Sequence, residues 1–165
     1  MKSAGRLIRR VAFFLISRVF PKRLTQFLMH VTQPKFVVAV VVIIYHGNRI
    51  LLLRQSYRPR YPWGLVTGWV KHGENPTQAA MREVWEEIGL RVSTLNCFYL
   101  ELAGRRHLEI GFWATVDKET TSQPSLDGEI LESLWFSLDK LPDGLLPSQI
   151  PIILQAQAHR QREFS

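Results

Sequence analysis

From Lys35 to Tyr45 the chain reads KFVVAVVVIIY, a β-branched run with no polar alternation. Such a run predicts a strand buried on both faces. The turn cluster His46-Gly47-Asn48 follows, then RILLLRQ over residues 49–55, so the two runs predict a hairpin. Residues 56–73 are rich in Pro, Gly, Tyr and Trp and predict loop with short extended pieces. The period then changes. Ala80, Val84 and Ile88 recur every four residues, with Met81 and Trp85 beside them, which predicts a helix over 76–88. Asn75 suits the N-cap, Pro76 the first helical position, Gln78 a capping box and Gly89 the C-terminal stop. Strand-like runs follow at 97–102 and 107–116 around a turn at Gly104-Arg105-Arg106. A further strand at 133–137 leads into Leu138-Asp139-Lys140-Leu141-Pro142, and a last helix presents Ile150, Ile153, Leu154 and Ala158 on one face. Strands mixed with helices, without repeats, predict an α/β or α+β domain.

Before residue 36 the pattern is different. Leu7, Ile8, Val11, Phe14, Leu15 and Val19 form one helical stripe, imperfect because of Phe13 and Phe20. Pro21 suits a break, and Leu24, Phe27, Leu28 and Val31 form a second, cleaner stripe. The uninterrupted apolar run Val11–Ile16 is far short of the ~20 residues of a membrane span. Arg18 also interrupts what would be a signal's apolar core, and no small-x-small cleavage site follows.

Length and composition fit one globular domain: 165 residues, 46% apolar and 21% charged, which excludes disorder and collagen-like repeats. The single cysteine, Cys97, excludes a disulfide framework and a Cys-based zinc finger, and it predicts a reducing, cytoplasmic setting. A net charge of +7 first suggests a nucleic-acid partner. Its distribution removes that inference. Residues 1–35 carry eight Lys and Arg and no acid, whereas residues 36–165 carry thirteen against fourteen acids, a balance of −1. The excess belongs to a basic helical extension, 1–35, ahead of a near-neutral domain, 36–165, and no DNA partner is expected. The extension is expected to pack on its own domain or on a partner subunit, a homodimer included. The alternative is peripheral docking at the inner membrane surface.

The helix over 76–88 carries the chemistry. Glu83, Glu86 and Glu87 stand a turn apart on one face, and Arg82 sits four residues before Glu86. Three carboxylates this close repel unless a cation sits among them, and oxygen donors suit Mg²⁺ or Mn²⁺. An acidic helix face by itself is more often a solvated surface. Its context decides otherwise. Gly68, Glu74, Arg82-Glu83-Val84, Glu86-Glu87 and Gly89-Leu90 fall at the spacing Gx5Ex7REUxEExGU, with U aliphatic. Seven fixed identities and two class positions agree over twenty-three residues. In this the chain resembles the Nudix hydrolases.

The resemblance covers roughly residues 36–162 and implies an α/β/α sandwich with a mixed β-sheet. It implies metal-dependent hydrolysis of a diphosphate linkage in a small nucleotide derivative. Glu83, Glu86 and Glu87 become metal ligands, with the Gly68 carbonyl completing the set. Glu86 or Glu87 serves as general base, or Glu129 does if the base lies beyond the box. Arg82 orients the glutamates and Glu74 braces the loop. Thr67-Gly68-Trp69 replaces the family's common Pro-Gly-Gly at the head of the box.

Substrate selection is less sharply written. Arg54, Arg58 and Arg60 are candidates for phosphate binding, and Tyr57, Trp63 or Trp69 for stacking a base, against ordinary core packing for each aromatic. The stretch Gln55-Ser56-Tyr57-Arg58 is similar to one in ADP-ribose pyrophosphatases, but their proline about fifteen residues after the box is replaced near Arg105-Arg106. A capped or triphosphorylated RNA 5′ end is the alternative substrate, and a non-catalytic nucleotide-binding module the alternative role. An isomerase of prenyl diphosphates, a related fold, would need a catalytic cysteine, whereas Cys97 is expected to be a buried small residue.

Overall fold

A computed structural model describes residues 22–117 and 128–163. The stripe Leu7–Val19 lies outside the described residues. The chain divides into two compact units, 1–35 and 36–165. In the first, Lys22–Thr32 is helix α1.

In the second unit the described residues form seven strands in one sheet. These are β1 (Val37–His46), β2 (Arg49–Gln55), β3 (Trp63–Gly64), β4 (Val66–Trp69), β5 (Asn96–Leu102), β6 (His107–Thr115) and β7 (Ile130–Ser137). Helix α2 (Pro76–Ile88) follows β4, and helix α3 (Ile150–Glu163) follows a 3₁₀ turn at Pro147–Gln149. The main path runs β3-β2-β1-β6-β5, with β4 also paired to β1 and β7 to β2. The sheet is mixed: β1 runs parallel to β6 from Val37↔His107 to Tyr45↔Thr115, and antiparallel to β2 and β4.

β1 is central, as its composition requires. Val40, Val42 and Ile44 face α2 with Ala79, Ala80, Val84 and Ile88. Val41, Ile43 and Tyr45 face α3 with Trp113, Ile152, Ile153 and Ala156. A strand covered by helices on both faces has no position for a polar residue, hence the continuous β-branched run. The result is an α/β/α sandwich. After the hairpin, β1 and β2 pair only at Tyr45↔Ile50 and His46↔Arg49 and then part. β1 goes on to pair with β4 through Ala39↔Trp69 to Val42↔Val66, while β2 takes β3 and β7.

Two expectations are corrected. The buried face of α3 is Ile152, Ile153 and Ala156, whereas Ile150, Leu154 and Ala158 are exposed. That rotation brings Arg160, four residues beyond Ala156, to the Tyr45 ring at 4.6 Å and to the Gly47 carbonyl at 3.1 Å. Cys97 is exposed, because β5 is the last strand of the sheet and its register shifts between Cys97 and Tyr99.

Candidate active site

The site begins with the ends of α2. Asn75 Oδ1 accepts from the Gln78 backbone N–H at 2.9 Å, and Gln78 Oε1 accepts from the Asn75 N–H at 2.9 Å. The capping box therefore fixes where the helix starts. Gly89 ends it in the left-handed region, at φ 67°, with its N–H on the Trp85 carbonyl at 2.9 Å. Between these limits Ala80, Val84 and Ile88 bury one side. The opposite side then turns Arg82, Glu83, Glu86 and Glu87 towards the β4 turn.

β4 approaches that side closely at Gly68. A Cβ there would overlap the Glu83 carboxylate, so residue 68 must be glycine for the Glu83 side chain to lie where it does. Arg82 ties the two pieces together. Its Nη1 donates to Glu83 Oε1 at 2.6 Å and to Glu86 Oε2 at 2.9 Å. Its Nη2 and Nε hold the Glu74 carboxylate as a fork at 2.8 and 3.2 Å, and Nη2 also reaches the Trp69 carbonyl at 3.0 Å. Glu74 accepts from the Lys71 N–H at 2.6 Å as well. Led by the Arg82 hydrogen bonds, these partners pull its carboxyl down to about 2.

Glu87 has the opposite environment. Burial, with the Glu83 and Glu129 charges adding to it, pushes its carboxyl up to about 8, against the Thr67 backbone N–H and Arg58. Its Oε2 is buried without a hydrogen-bond partner. Among the described residues the carboxylates do not converge into a three-ligand cluster. Arg82 draws Glu83 and Glu86 to itself, and Glu87 turns to Thr67. The donor set nonetheless fits a hard divalent cation: it is all oxygen, it includes an unpartnered buried carboxylate oxygen, and a glycine lets the Glu83 carboxylate lie against the β4 backbone.

A cavity of about 790 Å³ opens on this side. Gly68, Glu83, Glu87, Glu129, Arg58, Tyr57 and Trp69 all line it, so most of the predicted residues are brought together. Glu86 stands outside on the rim, half exposed, with Lys71 Nζ at 3.8 Å. Arg54 is not brought in: it pairs with Glu132 at 2.9 Å across β2 and β7. Trp63 packs on Phe136 with ring centroids 4.9 Å apart, and Arg60 lies over Tyr61. The far wall consists of residues no motif pointed to, among them Tyr99, His107 and Glu109 of β5 and β6. Their one sequence signal is the pair His107 and Glu109 two apart on a strand, which places both on one face. Gln149 is another: it is buried, and its Oε1 accepts from the Leu65 N–H at 2.8 Å.

A family model described as NUDIX domain matches residues 35–156. The chain belongs to the NUDIX family. Relatives with this domain include the NAD-capped RNA hydrolases NudC of Mycobacterium tuberculosis, 34% identical over 120 residues, and of Pseudomonas aeruginosa, 35% identical over 121. Each match covers 70% of this chain but only 37% and 41% of the relative, so the chain spans less than half of their length. Among solved NUDIX structures, the MutT hydrolase of Burkholderia pseudomallei matches with a TM-score of 0.63 at 24% identity, covering 74% of this chain and 98% of its own. The E. coli ORF135 protein matches at 0.61 and 26%, covering 77% and 92%.

Proposed function

We propose that this chain is a pyrophosphohydrolase dependent on a divalent metal, Mg²⁺ or Mn²⁺. It cleaves a diphosphate linkage in a nucleotide derivative. The observation that carries the reading is that Glu83, Glu87 with its unpartnered oxygen, and Gly68 line one cavity, with Arg82 holding Glu83 and Glu86 beside it. Glu83, Glu86, Glu87 and the Gly68 carbonyl would hold the cation, which would supply charge neutralisation for the diphosphate and a more acidic water as nucleophile.

The remaining work belongs to the chain. Arg82 and Glu74 keep the acidic face and the β4 turn in one geometry. Arg58, on the cavity wall, receives a phosphoryl oxygen, and Tyr57 and Trp69 offer aromatic faces to a base. Glu129, in the same cavity and outside the Arg82 network, takes the proton of the attacking water. Arg54 has no part, being engaged by Glu132.

The names of the relatives support a substrate in which the diphosphate joins two nucleosides at an RNA 5′ end. The full chain is assayed with Mg²⁺ or Mn²⁺ against ADP-ribose, NADH, nucleotide sugars, nucleoside triphosphates and NAD-capped RNA, with products read by mass. Metal-dependent cleavage between the phosphorus atoms is expected, falling roughly 100-fold or more in Glu86→Gln/Glu87→Gln. Full activity in that double variant would overturn the mechanism. Binding without turnover across the panel would establish the non-catalytic module instead.

A further inference from the structure

The catalytic reading leaves α1 unused. In a helix, Leu24, Phe27 and Val31 share one face, while Lys22, Gln26 and His30 share the opposite one. Phe27 is 61% and Val31 59% exposed, and Leu24 is exposed with them. A row of large apolar side chains in water is unfavourable until something covers it. The sequence around the row is uniformly basic: Lys22, Arg23 and Lys35 flank it, and residues 1–35 contain eight Lys and Arg and no acid. Among the described residues no helix is long and apolar enough to cross a membrane.

We propose that α1 docks the protein on the surface of an anionic lipid bilayer, with Leu24, Phe27 and Val31 entering the acyl boundary and the basic side chains meeting the headgroups. The combination selects this partner. An RNA supplies phosphates but no apolar phase for an aliphatic and aromatic row. A second copy supplies such a row, but it brings eight more cations and no acid in the same segment to offset them. A bilayer bearing anionic lipid supplies an apolar layer beneath a negative surface, which is what an interfacial amphipathic helix requires. Each basic residue near such a surface raises partitioning about fivefold, and the gain is screened by salt.

The test uses the full chain and extruded vesicles, read by cosedimentation. Phosphatidylcholine vesicles containing phosphatidylglycerol are compared with phosphatidylcholine alone. Binding is expected only with phosphatidylglycerol present, weakening as salt is raised. Phe27→Ser/Val31→Ser keeps every charge and removes the apolar row, so partitioning drops about tenfold or more while thermal melting stays unchanged. Lys22→Gln/Lys35→Gln keeps the row and lowers partitioning by roughly 25-fold. Absence of vesicle binding, equal binding to both vesicle types, or no loss in Phe27→Ser/Val31→Ser overturns the proposal. So does a wild-type dimer in light scattering that this double variant converts to monomer, since the row would then be covered by a second copy. Retention on RNA unaffected by the double variant, without vesicle binding, assigns the charge to nucleic acid instead.

Discussion

At the scale of single residues, the site is governed by a side chain that is missing and one that is shared. Gly68 lets β4 lie against Glu83, where a Cβ would overlap the carboxylate. In Gly68→Ala either the β4 turn or the Glu83 side chain has to move, and the ligand geometry at the cavity mouth goes with it. Hydrolysis is expected to fall roughly 100-fold. The residue stands one position before the end of β4, and the atoms a Cβ would meet belong to Glu83 rather than to the core of α2 and β1, so the melting curve should move by no more than a few degrees. A variant that keeps wild-type turnover would show that Glu83 need not occupy this place. Arg82 is the shared side chain, bonded at once to Glu74, Glu83, Glu86 and the Trp69 carbonyl. Sequence spacing announces the Arg82–Glu86 contact, since four residues make one helical turn. It does not announce the fork with Glu74, which exists because the loop ahead of α2 folds back over the first turns. Nor does spacing distinguish the two extremes among these acids. Glu74 is held at about 2 by its guanidinium partner and Glu87 raised to about 8 by burial, although the motif treats both as fixed glutamates.

At the scale of elements, legibility follows how local the cause is. α2 is legible to the residue because its limits are set by neighbours in sequence: the reciprocal Asn75–Gln78 bonds at one end and Gly89 at the other. Asn75→Ala removes one half of that box and leaves the Gln78 N–H without its side-chain acceptor. A loss of about 1 kcal/mol is expected, read as a lower midpoint in urea with an unchanged slope. A midpoint equal to wild type would mean that tertiary packing alone holds the helix start. β4 is legible only as an extended piece of a Pro- and Gly-rich loop, because four residues carry no period and its pairing partner, Ala39–Val42, lies far upstream. The buried face of α3 escapes local pattern for a related reason. Ile150, Ile152, Ile153 and Leu154 offer several apolar faces, and the choice among them is made by Tyr45 and Trp113 on the sheet. Local pattern fixes the ends of a helix more firmly than its rotation about its own axis. The half of the cavity lined by Gly68, Glu83 and Glu87 is therefore legible, being one helix and one turn. The wall from β5, β6 and the start of α3 is not.

At the scale of the whole molecule, the two faces of β1 make Tyr45 a sensor of the stability of the 36–165 unit. The side chain is fully buried in the cluster beneath α3, at an edge-on angle to Trp113, and its hydroxyl has no hydrogen-bond partner. Burial pushes the phenol up to about 12, outweighing the nearby Arg160 charge that lowers it. The unfolded chain ionises near the ordinary value of 10 and the folded chain only near 12, so the contribution is complete below pH 10 and is lost as pH rises towards 12. That gap between the unfolded and folded phenol is worth roughly 3 kcal/mol. Tyr57 and Tyr99 are raised too, by burial first, and add a smaller decline of the same sign. Tyr45→Phe keeps the ring and removes a hydroxyl that makes no hydrogen bond, so at pH 7 its stability should equal or exceed wild type. Above pH 10 the difference should widen in favour of the variant, measured as urea midpoints in steps to pH 12. Parallel declines in the two proteins would mean that the Tyr45 phenol is not the group that titrates.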